Sequence, residues 1–202
     1  MNRGVLIVLA LLTLAFAGAT AMAVRNGILM RDEAGGRTIG GPFQLVDQTG
    51  TPADQSRLKG KWSAVFFGFT YCPEACPTTL FALGEAEKLI ASKDFQTVFI
   101  SVDPERDNPK QLALYLSNPA FPRAATGLTG TPDQVAAVAK AYAAYYLKSG
   151  TGPDYTVDHS TQTYLMSPKG RFVCVIPYGA EPKVIAERVG NAMKQGANAK
   201  SC

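Results

Sequence analysis

The residues best suited to chemistry are Cys72 and Cys76, in the run Tyr71-Cys72-Pro73-Glu74-Ala75-Cys76-Pro77. Two thiols at that spacing can close a disulfide or, as thiolates, hold one soft metal ion. A ring so small removes little chain entropy, so a purely structural Cys72–Cys76 disulfide would stabilise the fold little. Pro73 and Pro77 instead stiffen the loop and hold both sulfurs in place. The chain has one histidine, His159, which excludes any site built from several imidazoles. Four cysteines in 202 residues are too few for a disulfide scaffold. Cys174, in the apolar run Arg171-Phe172-Val173-Cys174-Val175-Ile176, is expected to be a buried small hydrophobe. Cys202 is expected to be a free thiol on a flexible tail, 197–202.

The elements around the cysteine loop explain why it is a place for reactivity. Trp62 to Phe69 is rich in β-formers and reads as a buried strand. Pro77 to Lys93 carries apolar residues near a 3.6 spacing, with Pro77 in the tolerant first turn. The loop therefore joins the carboxyl end of a strand to a helix N-terminus, where partial positive charge would favour a thiolate at Cys76. Phe95 to Val102 reads as a second core strand, Pro109 to Leu116 as a helix after Asp107-Asn108, and Pro132 to Tyr146 as a third helix. Thr163 to Met166 and Arg171 to Ile176 flank the turn Ser167-Pro168-Lys169-Gly170 as a hairpin. A last helix runs from about Pro182 to Met193. This order predicts an α/β fold of thioredoxin-like type, with helices packed on a central mixed sheet.

Composition adds the remaining bounds. At 47% hydrophobic and 18% charged, the chain is neither disordered nor collagen-like. Its net charge of +4 comes from scattered residues with no basic run, which argues against nucleic acid as a partner. Val5 to Val24 holds no charge in 20 residues. As a helix it would reach about 30 Å, the thickness of a bilayer core. Residues 1–24 are accordingly read as an N-terminal transmembrane anchor; the alternative is a signal peptide ending near Ala21-Met22-Ala23. Residues 25–38 read as a tether and 39–196 as the folded domain. With the N-terminus inside the cell, the domain lies in an oxidising compartment.

Three blocks carry a resemblance. Phe69-Thr70-Tyr71-Cys72-Pro73-Glu74-Ala75-Cys76-Pro77, Ser101-Val102-Asp103-Pro104-Glu105-Arg106-Asp107 and Asp154-Tyr155-Thr156-Val157-Asp158-His159-Ser160 closely resemble the signature blocks of the Sco/SenC family. The likeness spans about residues 40 to 195 in consistent order. It implies a membrane-tethered thioredoxin-like domain that binds copper through Cys72, Cys76 and His159. It also implies a role in assembling the CuA centre of cytochrome c oxidase subunit II, alongside other copper chaperones or a thiol reductant, on the periplasmic side of a bacterial inner membrane. The donor types agree: two thiolates and one imidazole suit Cu(I), whereas structural zinc wants four ligands. Cu(II) fits if an oxygen completes the sphere.

Asp103 ends the Phe95 to Val102 strand on the same edge. It is weighed as a residue orienting His159 or a partner's contact, against a loop aspartate bonded to backbone near Asp107-Asn108. Tyr71 and Tyr155 are candidates for the walls of the site. The rival function is thiol-disulfide oxidoreductase; against it stand the CxxxC spacing and Thr161-Gln162-Thr163 where thioredoxins place a cis-proline. A redox or copper sensor would use the same residues.

Overall fold

The computed structural model describes residues 39–202. The proposed anchor and tether lie outside them, and no helix among the described residues is long and apolar enough to cross a membrane. Among the described residues there are nine strands and four α-helices: β1 (Gln44–Asp47), β2 (Pro52–Asp54), β3 (Trp62–Gly68), α1 (Ala75–Ile90), β4 (Phe95–Ser101), α2 (Pro109–Leu116), β5 (Ala125–Thr129), α3 (Pro132–Ala141), β6 (Tyr146–Ser149), β7 (Thr156–His159), β8 (Thr163–Met166), β9 (Phe172–Ile176) and α4 (Pro182–Gln195).

Seven strands make one mixed sheet in the order β2-β1-β5-β4-β3-β8-β9. β3 pairs parallel with β4 and β4 with β5, while β8 runs antiparallel to β3. Every residue of β3 and β4 is buried, as expected of central strands covered on both faces. The pleat of β3 divides the core. Val65, Phe67 and Phe69 pack with Val135 and Val138 of α3. Trp62 and Ala64 pack with Leu83 of α1 and Val189 of α4, and Phe66 packs with Leu80 of α1 and Leu112 of α2. This is the expected thioredoxin-like layering.

Three helix starts follow from side-chain chemistry. Asn108 caps α2 through Gln111 N at 3.0 Å, Thr131 and Gln134 form a capping box on α3, and Pro109, Pro132 and Pro182 occupy first-turn positions. Two helices end earlier than expected. α1 stops at Ile90 with Ala91 at φ 50°, and α3 stops at Ala141 rather than Tyr146. After α3, Ala143 N bonds Lys140 O and Ala144 N bonds Ala139 O with Ala143 at φ 51°, the paired hydrogen bonds of a Schellman cap. The chain then enters β6, which pairs with β7 in a two-stranded sheet separate from the seven-stranded one.

The expectations for Cys174 and Cys202 are corrected. They form a disulfide with a sequence separation of 28, and Ala199 is buried. Residues 197–202 are thus fastened across β9 and α4 and are not a free tail, and Cys174 is only partly buried.

Candidate metal centre

β3 ends at Gly68, and the chain turns through Phe69 to Glu74 into α1. A Cβ on Gly68 would lie 2.5 Å from Cys76 Sγ and 2.9 Å from Phe99 Cε2, so glycine is required for the sulfur to pack against the strand. The start of the loop is fixed by Asp107. Its carboxylate accepts from Thr70 N at 3.0 Å, Thr70 Oγ1 at 2.6 Å and Ser101 Oγ at 2.7 Å. Burial raises the Asp107 pKa against the lowering effect of those bonds.

Cys76 lies in the first turn of α1 and is buried; Cys72 is half-buried; both are free thiols. The backbone N–H of Cys76, one of the donors a helix start leaves unpaired, points at Cys72 Sγ at 3.4 Å. The N-cap residue Glu74 makes no side-chain cap bond, so this sulfur occupies the capping position. Hydrogen bonding from the Cys76 thiol, with further bonds from His159 and the Cys76 and Glu74 amides, brings Cys72 from an ordinary 9.0 to about 4 despite partial desolvation. Burial, then the neighbouring Cys72, pushes Cys76 well up. The helix-start effect expected at Cys76 therefore acts on Cys72: Cys76 is inside the helix, while Cys72 faces its end.

His159 is the last residue of β7. Its ring is flanked by Phe66 and Phe69 at centroid separations of 6.1 and 5.7 Å. Nδ1 is 2.9 Å from Ser160 O, and a carbonyl can only accept, so Nδ1 carries a proton and Nε2 is aimed at the sulfurs, 3.5 Å from Cys76 Sγ. Burial alone would lower its pKa. Hydrogen bonding and charge from the Cys72 thiolate, with the Ser160 carbonyl, raise it above 6.5 instead. The donor atoms of Cys72, Cys76 and His159 all lie within 4.8 Å of one another. Three converging donors, two of them soft sulfurs, match the preferences of a monovalent copper ion better than those of a hard cation.

Asp103 does not bond His159. Its carboxylate accepts from Arg106 Nε and from Tyr155 Oη, both at 2.5 Å, and only its backbone carbonyl meets Asp107 N. Arg106 takes one carboxylate oxygen and Tyr155 the other, so the side chain reaches neither His159 nor the backbone near Asp107-Asn108. Tyr71 is 56% exposed beside Cys72, and Tyr155 is buried. The rings nearest the imidazole, Phe66 and Phe69, come from the strand end and were not singled out from sequence.

The fold and site together define a thioredoxin-like protein whose loop-borne pair of thiols meets a distant imidazole. Comparison with known proteins agrees. The SCO1/SenC family model matches residues 31–194. Protein SenC of Rhodobacter capsulatus is 44% identical over 157 residues, covering 75% of this chain and 69% of that protein. The structure is similar to that of Arabidopsis thaliana ScoI with copper bound, at 39% identity and TM-score 0.74, covering 78% of this chain and 99% of that one. It is also similar to BsSco, described as a member of the Sco family of cytochrome c oxidase assembly proteins and as having a disulfide switch; there identity is 26% and TM-score 0.61, with coverage of 78% and 95%. The chain belongs to the SCO1/SenC family. It spans about half the length of the mitochondrial SCO proteins it matches in Arabidopsis thaliana and Saccharomyces cerevisiae.

Proposed function

We propose that this protein is a copper carrier that takes up one copper ion, favouring Cu(I), on Cys72, Cys76 and His159 and passes it to the CuA centre of cytochrome c oxidase subunit II. The observation that carries this reading is the convergence of three donors within 4.8 Å at a loop edge. Cys72 is half-buried while Tyr71, Pro73 and Glu74 are exposed, so an acceptor thiolate can approach from the Cys72 side. Transfer is then ligand exchange: an acceptor sulfur joins the ion as a protein sulfur leaves, with no redox change. Residues 1–24 anchor the domain to a bacterial inner membrane and residues 25–38 hold it in the periplasm. The Cys174–Cys202 disulfide supports an oxidising compartment.

A second reading is favoured by the Cys72 pKa of about 4, which makes it a thiolate at neutral pH. As a thiol-disulfide oxidoreductase, the protein would reduce a disulfide between the acceptor's cysteines, with Cys72 and Cys76 oxidised to a disulfide in exchange. Cellular complementation separates the two. Loss of oxidase copper with both His159→Ala and Cys72→Ser is the result expected of delivery. Loss with Cys72→Ser alone would replace delivery with thiol chemistry.

A further inference from the structure

His159 stands on a hairpin outside the seven-stranded sheet, so the main ladder does not set its position. Beyond His159 the chain joins β8 at Thr163. On the other side, Val157 of β7 is buried in the core and the polar anchor is Tyr155, the residue before β7. There one side chain gathers three segments. Arg106 donates from Nη1 to Tyr155 O at 2.9 Å and to Pro153 O at 3.4 Å, and from Nε to Asp103. Its guanidinium carbon lies 3.6 Å from the Tyr155 ring centroid, 4.7 Å from that of Tyr71 and 5.8 Å from that of Phe69. Tyr155 closes the circle by donating Oη to the same Asp103 carboxylate.

We propose that Arg106 is a positioning residue of this site, clamping the His159 hairpin to the loop after β4 and to the cysteine loop so that the imidazole reaches the two sulfurs. The proposal rests on the reading of His159 as a copper ligand. The Arg106 side chain is only 16% exposed, and its Nη2 has no hydrogen-bond partner among the described residues. A cation held so deep is tolerated because Asp103 opposes its charge and aromatic faces cover it. Lysine cannot take this place, since one ammonium cannot bond Asp103 and the Tyr155 carbonyl while lying flat on two rings. Lys148 also lies 3.8 Å from the Tyr155 ring centroid, but its ion pair with Glu105 is exposed at both ends and adds little.

The test is a double-mutant cycle on Cu(I) affinity in the full-length reduced protein. Arg106→Met should weaken binding about tenfold, at the low end for residues supporting a metal ligand. Arg106→Lys should not restore it. In a His159→Ala background, Arg106→Met should change affinity by less than about twofold, because the ligand it positions is gone. Tyr155→Phe, which removes only the bond to Asp103, should give a smaller loss with the same dependence on His159, and serves if Arg106→Met does not fold. Wild-type affinity in Arg106→Met, or an equal loss with and without His159, overturns the clamp alone. Unchanged affinity in His159→Ala overturns the copper site and the clamp together.

Discussion

Cys72 should react as a thiolate in acid, where an ordinary cysteine is inert. The perturbation is pH, and the probe is a neutral alkylating reagent. With a pKa of about 4 in place of 9.0, Cys72 at pH 5 is roughly nine-tenths thiolate, against about one part in ten thousand for a free cysteine. A less basic thiolate is a weaker nucleophile. A Brønsted slope of about 0.45 over five pKa units costs on the order of 200-fold, leaving a net advantage of about 50-fold at pH 5. The rate should also be nearly flat from about pH 5 to 8, whereas an ordinary thiol gains about tenfold per unit. Cys76, buried and raised, should stay unmodified at pH 5. Peptide mapping of alkylated protein across this range measures both residues. A Cys72 rate rising tenfold per unit up to pH 8, or Cys76 reacting first, would refute the assignment of the helix-start N–H to Cys72.

Other predictions concern the frame and the metal. Removing the Cys174–Cys202 link with Cys174→Ser and Cys202→Ser releases a constraint across a separation of 28, worth about 3.5 kcal/mol and a fall of about 7–14 °C in Tm by calorimetry; an unchanged Tm would show that the clip does not hold the C-terminal segment. Gly68→Ala places a methyl 2.5 Å from Cys76 Sγ. It should cost about 1–3 kcal/mol in denaturant unfolding and weaken Cu(I) binding, and wild-type behaviour in both would contradict the packing at this strand end. The raised His159 pKa means that copper must displace a proton from the imidazole as pH falls through it. Wild-type affinity should therefore decline about one log unit per pH unit more steeply than that of His159→Ala below that pKa, and parallel slopes in competition titrations would speak against imidazole ligation.

What could be read from the sequence was what local residues dictate. Asn108-Pro109, Thr131-Pro132 and Glu181-Pro182 announce helix starts because caps and prolines act within one turn. Helix ends were less legible, since Ala91 and Ala143 take the left-handed conformation where glycine is the usual signal. Overrunning α3 to Tyr146 concealed β6 and with it the hairpin that presents His159. The cysteine loop is evident from its own residues, but sequence does not say which thiol faces the first-turn N–H, and the acidic sulfur is Cys72 and not Cys76. The Cys174–Cys202 pairing and the Arg106 clamp join positions tens of residues apart, and only the folded chain brings them together.

Copper ligation by Cys72, Cys76 and His159 is open to X-ray absorption at the copper edge of the full-length protein loaded with one equivalent of Cu(I). Two sulfurs and one imidazole nitrogen should surround the ion, with the nitrogen lost in His159→Ala. A shell of sulfur alone, or one that His159→Ala leaves unchanged, would contradict it.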